Sequence, residues 1–148
     1  MPRVLITGMS GTGKTTVLDE LCRRGHRTLD TDYDGWVLAD GSWDEARMTA
    51  FLHDHNDVIV AGTVSNQGRF YDRFDHVVLL SAPLAVLLQR VGSRTNNSYG
   101  QTPQQRAEIG RYFETVEPLL RRRATVELDG RLPVSELADL IDDLAAPA

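Results

Sequence analysis

Glycines, one lysine and a threonine stand near the start of the chain in an arrangement suited to holding phosphate. Gly8-Met9-Ser10-Gly11-Thr12-Gly13-Lys14-Thr15 fits the pattern G-x-x-x-x-G-K-[ST]. The glycines let the backbone curl so that successive N–H groups converge on an anion. A helix starting at Lys14 would add its free amide donors, Thr16 among them, and the positive end of its dipole. In such a loop the lysine reaches the β- and γ-phosphates of ATP, and the Thr15 hydroxyl is a ligand for Mg2+. Composition singles out the same lysine, because of the 16 basic residues 15 are arginine and one is Lys14. A position that needs a compact ammonium on a flexible stem does not accept a planar guanidinium. The competing reading is a glycine-rich turn with a chance Gly-Lys-Thr, and position and context weigh against it.

That context is a set of short strands alternating with helices. Val4-Leu5-Ile6 is all apolar, as a strand buried on both faces is, and it runs into Thr7-Gly8. Val17, Leu18, Leu21 and Cys22 fall at helical spacing over residues 14–24, with Gly25 as a stop and Cys22 as a packing residue. Strands are expected at Arg27–Asp30, Val58–Ala61, His76–Leu80 and Thr125–Leu128. Helices are expected from a Ser42–Glu45 capping box to about His55, from Pro83 to about Gly92, and from a Thr102–Gln105 capping box toward Pro118. An acidic amphipathic helix closes the sequence from Pro133 to about Leu144. Residues 93–102 are polar and without period, so they read as a loop. The alternation predicts an α/β fold with βαβ units and a mainly parallel sheet in a single domain over residues 1–148.

Composition narrows the partners. With 16 basic against 21 acidic residues the net charge is −5, which gives no general pull toward nucleic acid or anionic membrane. The run Arg121-Arg122-Arg123 is read as charge at the C-terminal pole of a helix. A single cysteine, no signal-peptide pattern and no apolar stretch near ~20 residues together predict a soluble cytoplasmic protein. The four histidines lack metal-site spacing and are read as structural. Trp36 and Trp43 are read as core or lid packing.

Beyond the phosphate loop, the chain resembles the P-loop kinases that include shikimate kinase and adenylate kinase, over nearly its whole length. Arg90, closing Leu84-Ala-Val-Leu-Leu-Gln-Arg, sits where those families place an arginine against adenine. Leu128-Asp129-Gly130-Arg131-Leu132-Pro133-Val134 resembles the adenylate kinase segment bordering adenine, so Gly130, Arg131 and Pro133 are expected beside the nucleotide. The resemblance implies a three-layer P-loop NTPase fold, a five-stranded sheet in the order 2-3-1-4-5 and a short lid at about 93–102. Arg94 in that lid and Arg106 after it are expected to contact the transferring phosphate.

On the acceptor side, Asp30-Thr31-Asp32 matches the shikimate kinase pattern. By that likeness Asp30 holds Mg2+, directly or through water, and Asp32 faces the acceptor hydroxyl; the alternative is a polar turn built on both. Departures bear on the substrate. Ala61-Gly62-Thr63 stands where shikimate kinases carry a glycine triplet, Arg94 precedes Thr95-Asn96-Asn97, and the Asp-Gly-Phe-Pro-Arg of adenylate kinases is absent. The atypical nuclear adenylate kinases are similar at Tyr33–Trp36 and Tyr71–His76. Arg47, Arg69 and Arg73 are candidates to grip an anionic acceptor. The expected activity is transfer of the γ-phosphoryl of ATP to a small-molecule acceptor, favouring a hydroxyl. The alternatives are an atypical nucleoside monophosphate kinase and an ATP-binding regulatory protein with slow hydrolysis. Oligomeric state is open.

Overall fold

A computed structural model describes residues 2–94 and 98–146. Five strands, β1 (Arg3–Thr7), β2 (Thr28–Asp30), β3 (Val58–Ala61), β4 (His76–Ser81) and β5 (Val126–Asp129), form one sheet in the order β2-β3-β1-β4-β5. Every pairing is parallel; Leu5 lies beside Val60 on one side and Val77 on the other. Helices α1 (Lys14–Arg23), α2 (Glu45–Asp54), α3 (Leu84–Ser93), α4 (Pro103–Thr115), α5 (Glu117–Arg123) and α6 (Val134–Ala145) complete the layers, with a 3-10 helix over Gln67–Arg73.

The two-residue strand period explains how an all-apolar run serves both faces. Val4 and Ile6 of β1, Ile59 and Ala61 of β3, and Val78 and Leu80 of β4 pack with α1 and α6. Leu5, Val58, Val60 and Val77 point the other way, into a layer with Trp36, Trp43, Met48, Leu52 and Phe70. Leu79 joins Met9, Leu87 and Leu120 in a third cluster under α3 and α5. Both tryptophans are buried in the core, at 7% and 0% exposure.

Several local expectations need correction. Asp44, not Ser42, caps α2: its carboxylate accepts from the Arg47 amide at 3.1 Å, while the Ser42 hydroxyl donates to Asp40. Glu45 accepts from Asn66 and Arg69 and does not reach back. Thr102 does cap α4, but Gln105 accepts from the Gly100 amide, so that box is only half formed. Cys22 is exposed because the buried stripe of α1 runs along Val17, Leu18 and Leu21. The 3-10 helix carries no period that sequence reading detects. Pro118 lies in the first turn of α5, where its missing N–H costs nothing, and α4 ends before it at Thr115. Arg121–Arg123 fall in the last turn of α5, and Arg121 also bonds Glu117 and Glu127. His26 bonds Asp142, and His55 bonds the Phe51 carbonyl. No helix among the described residues is long and apolar enough to cross a membrane.

Candidate active site

Parallel strands deliver their C-terminal ends to one edge of the sheet, and the functional candidates gather there. Between β1 and α1 the chain makes a tight loop over residues 8–13. Gly8 has φ +154°, and a Cβ on it would come 2.4 Å from the Leu80 carbonyl oxygen of β4, so no side chain fits. No side chain among the described residues caps α1, which leaves its first-turn amides for an anion. The half-buried Lys14 ammonium donates to the carbonyls of Gly8 at 2.6 Å and Met9 at 3.1 Å. Burial lowers its pKa, and the carboxylates of Asp32 and Asp30 oppose that shift.

The β2 edge supplies the acidic pair. Thr15 donates its hydroxyl hydrogen to Asp30 at 2.8 Å, and the other Asp30 oxygen accepts from the Asp32 amide at 3.1 Å. The polar turn and the acidic pair at the loop are therefore one feature. Asp32 faces the cleft. Crowding by protein raises its pKa, Lys14 and Arg94 pull it down, and Asp30 pushes it up. Thr15 and Asp30 offer neighbouring hard oxygens, which fits Mg2+, a cation commonly held by one or two such ligands together with waters and substrate phosphates. The described residues contain no group of three or more His, Cys, Asp or Glu that could hold a metal alone.

Among the described residues, two clefts at this edge border the phosphate loop. The first, about 390 Å3, is lined by Ser10, Gly11, Thr12, Gly13, Lys14, Thr15 and Thr16, with Arg90 and Gly130 beyond them and the apolar Leu132, Val134 and Leu137 at its end. Arg90 donates to the carbonyls of Gly11 at 3.1 Å and Gly130 at 2.9 Å, and so ties the phosphate loop to the turn after β5. That turn runs close to the loop: a Cβ on Gly130 would lie 2.8 Å from the Thr12 carbonyl oxygen. The second cleft, about 480 Å3, is bordered by Gly8 and Met9 and by side chains of α4 and α5. Ser10, Lys14 and Asp32 line both.

Other candidates fall elsewhere. Arg94 lines the first cleft beside Asp32 and donates to the Tyr99 carbonyl at 2.7 Å. Of the expected lid, residues 95–97 lie outside the described residues. Arg106 lines neither cleft, because its guanidinium is committed to the Leu88 carbonyl of α3 at 2.9 Å. Arg131 is drawn away by Asp129, and Pro133 starts α6 without lining the first cleft; Leu132 and Val134 border that space instead. Arg47 covers Trp36 at 3.9 Å, Arg69 pairs with Glu45, and Arg73 lies over Phe70 before β4, so none lines either cleft. Asp34 sits at φ +64°, in a turn.

Sequence reading missed a buried polar relay behind the loop. Gln67 donates to the Thr7 hydroxyl at 3.0 Å, and the Thr7 and Thr63 hydroxyls are 3.0 Å apart. Thr63 donates to the Gly8 carbonyl at 2.6 Å and accepts from the Gly8 amide at 3.1 Å. Only Thr7, polar at the end of an apolar strand, hints at it.

This sheet order, with the phosphate loop leading from β1 into α1, defines a P-loop protein of the kinase-like fold. The chain belongs to the AAA domain family, whose model matches residues 4–111. No curated protein matches it by sequence. Solved structures share the fold. A shikimate kinase from Acinetobacter baumannii in complex with shikimate aligns with TM-score 0.73 at 22% identity, covering 97% of this chain and 92% of that one. A gluconokinase from Sinorhizobium meliloti 1021 gives 0.68 at 19% identity, over 97% and 93%. A sugar kinase from Janibacter sp. HTCC2649 gives 0.64 at 18%, over 100% and 99%.

Proposed function

We propose that the protein transfers the γ-phosphoryl group of ATP to the hydroxyl of a small molecule. The observation that carries this reading is the meeting of two clefts at Lys14 and Asp32. A protein that only binds nucleotide has no use for the second cleft. In the first, the amides of residues 11–16 bind the phosphates and Arg90 lies against the base with Leu132 and Val134. Lys14 leaves the Gly8 and Met9 carbonyls for the β- and γ-phosphates. Thr15 and Asp30 would hold Mg2+, which supplies charge neutralisation on the phosphates when bound. Asp32 orients the acceptor hydroxyl and takes its proton as the oxygen–phosphorus bond forms. The bond from γ-phosphorus to the β–γ bridging oxygen breaks, and ADP leaves. Arg94, on the first cleft beside Asp32, neutralises charge on the group in transit.

Similarity of fold to shikimate kinase, gluconokinase and sugar kinase structures supports a hydroxyl acceptor. The test is Asp32→Asn. Turnover should fall by ~10²-fold or more with ATP affinity nearly intact, as for loss of a base or orienting group. A loss of only a few-fold would remove Asp32 from the chemistry.

A further inference from the structure

The charges around the second cleft narrow the acceptor, on the footing of the transfer reading above. Lys14 is the one cation lining that cleft among the described residues, and its ammonium belongs to the phosphate side. Asp32 and Asp40 line the same space. The Ser42 hydroxyl at 2.5 Å and amide at 3.0 Å hold the Asp40 carboxyl below its ordinary pKa, so that it is ionised near neutrality. Arg47 is held by the Asp34 carbonyl, Arg69 by Glu45 and Arg106 by the Leu88 carbonyl, while Arg111, beside Tyr112, is exposed and lines neither cleft. Arg94 borders the other cleft, where it is assigned to the group in transit, and its guanidinium donates to the carbonyl of Tyr99 between the two. Much of the remaining lining is apolar, from Met9, Ile109, Tyr112, Val116 and Leu120.

We propose that the acceptor is an alcohol without negative charge, neutral or ammonium-bearing, whose apolar part rests on Met9, Ile109, Tyr112 and Leu120 while its hydroxyl meets Asp32. A carboxylate or phosphate monoester in this cleft faces two carboxylates, and no arginine is among the described residues that line it. Its desolvation would go unrepaid. An ammonium finds Asp40, and a neutral alcohol loses nothing. The reaction balances as alcohol plus ATP giving phosphate ester, ADP and a proton.

The experiment measures ADP release by the full chain with Mg-ATP and six probes. Shikimate, gluconate and AMP are the anions; phenyl glucoside and adenosine are neutral; 2-amino-1-phenylethanol carries an ammonium. The expected result is a kcat/KM at least ~10-fold higher for a neutral or ammonium probe than for any anion. Ser65→Arg, at an exposed lining position, should move that ratio about tenfold toward the anions. Shikimate or gluconate leading in the wild type overturns the inference and leaves the transfer reading standing; AMP leading overturns both, because its accepting oxygen is a phosphate oxygen and not a hydroxyl. If ATP binds but none of the six stimulates ADP release, the transfer reading fails and the inference falls with it.

Discussion

Thr63→Val removes one hydroxyl at nearly constant volume, and the structure sets what that costs. Three contacts go: the Gly8 amide donation at 3.1 Å, the donation to the Gly8 carbonyl at 2.6 Å, and the Thr7 hydroxyl contact at 3.0 Å. Two of the groups left behind keep a partner. The Gly8 carbonyl still accepts from Lys14, and the Thr7 oxygen still accepts from Gln67. The Gly8 amide and the Thr7 hydroxyl hydrogen lose theirs. An unsatisfied buried polar group costs about 1–3 kcal/mol, and partial burial puts each near the low end, for a total of about 2–3 kcal/mol. With about 2.1 cal/mol/K of unfolding entropy per residue over 148 residues, Tm should fall by about 6–10 °C in calorimetry. Loss of order at Gly8 should also weaken ATP binding. Thr63→Ser, which keeps the hydroxyl, should recover most of both. A valine variant with wild-type Tm and ATP affinity would show that the relay does not hold the loop.

Lys14→Ala should abolish transfer and weaken ATP binding, and Lys14→Arg should restore little, because the planar guanidinium cannot follow the ammonium between the Gly8 carbonyl and the phosphates; near-normal turnover in Lys14→Arg contradicts this. Crowding raises the Asp32 pKa, so the base form is lost as pH falls through a value above that of an ordinary aspartate. The acidic limb of log kcat/KM against pH should rise with pH through that raised value and disappear in Asp32→Asn; an unchanged limb in the variant assigns the titration to another group.

The strands were legible to within a residue because short apolar runs that alternate with amphipathic helices mark them, whereas their order in the sheet followed from the resemblance to P-loop kinases. The phosphate loop was legible because its function is backbone curvature, which glycine records in the sequence. What escaped depends on where a side chain spends its bonds. Arg106 and Arg131 have the type and position for phosphate or nucleotide contacts, yet a carbonyl on α3 and a carboxylate two residues away engage them first. Thr63 looked like a departure from a glycine triplet, whereas its hydroxyl braces Gly8 across 55 residues of chain. Leu132, Val134 and Leu137 gained a place at the nucleotide cleft only when the turn after β5 folded against Thr12.

The most direct measurement is product mass. The full chain is incubated with Mg-ATP and the best acceptor of the six, and ADP and acceptor are quantified by mass spectrometry. The account predicts a phosphate ester formed one for one with ADP and absent with Lys14→Ala. ADP accumulating with free phosphate and an unmodified acceptor would contradict it.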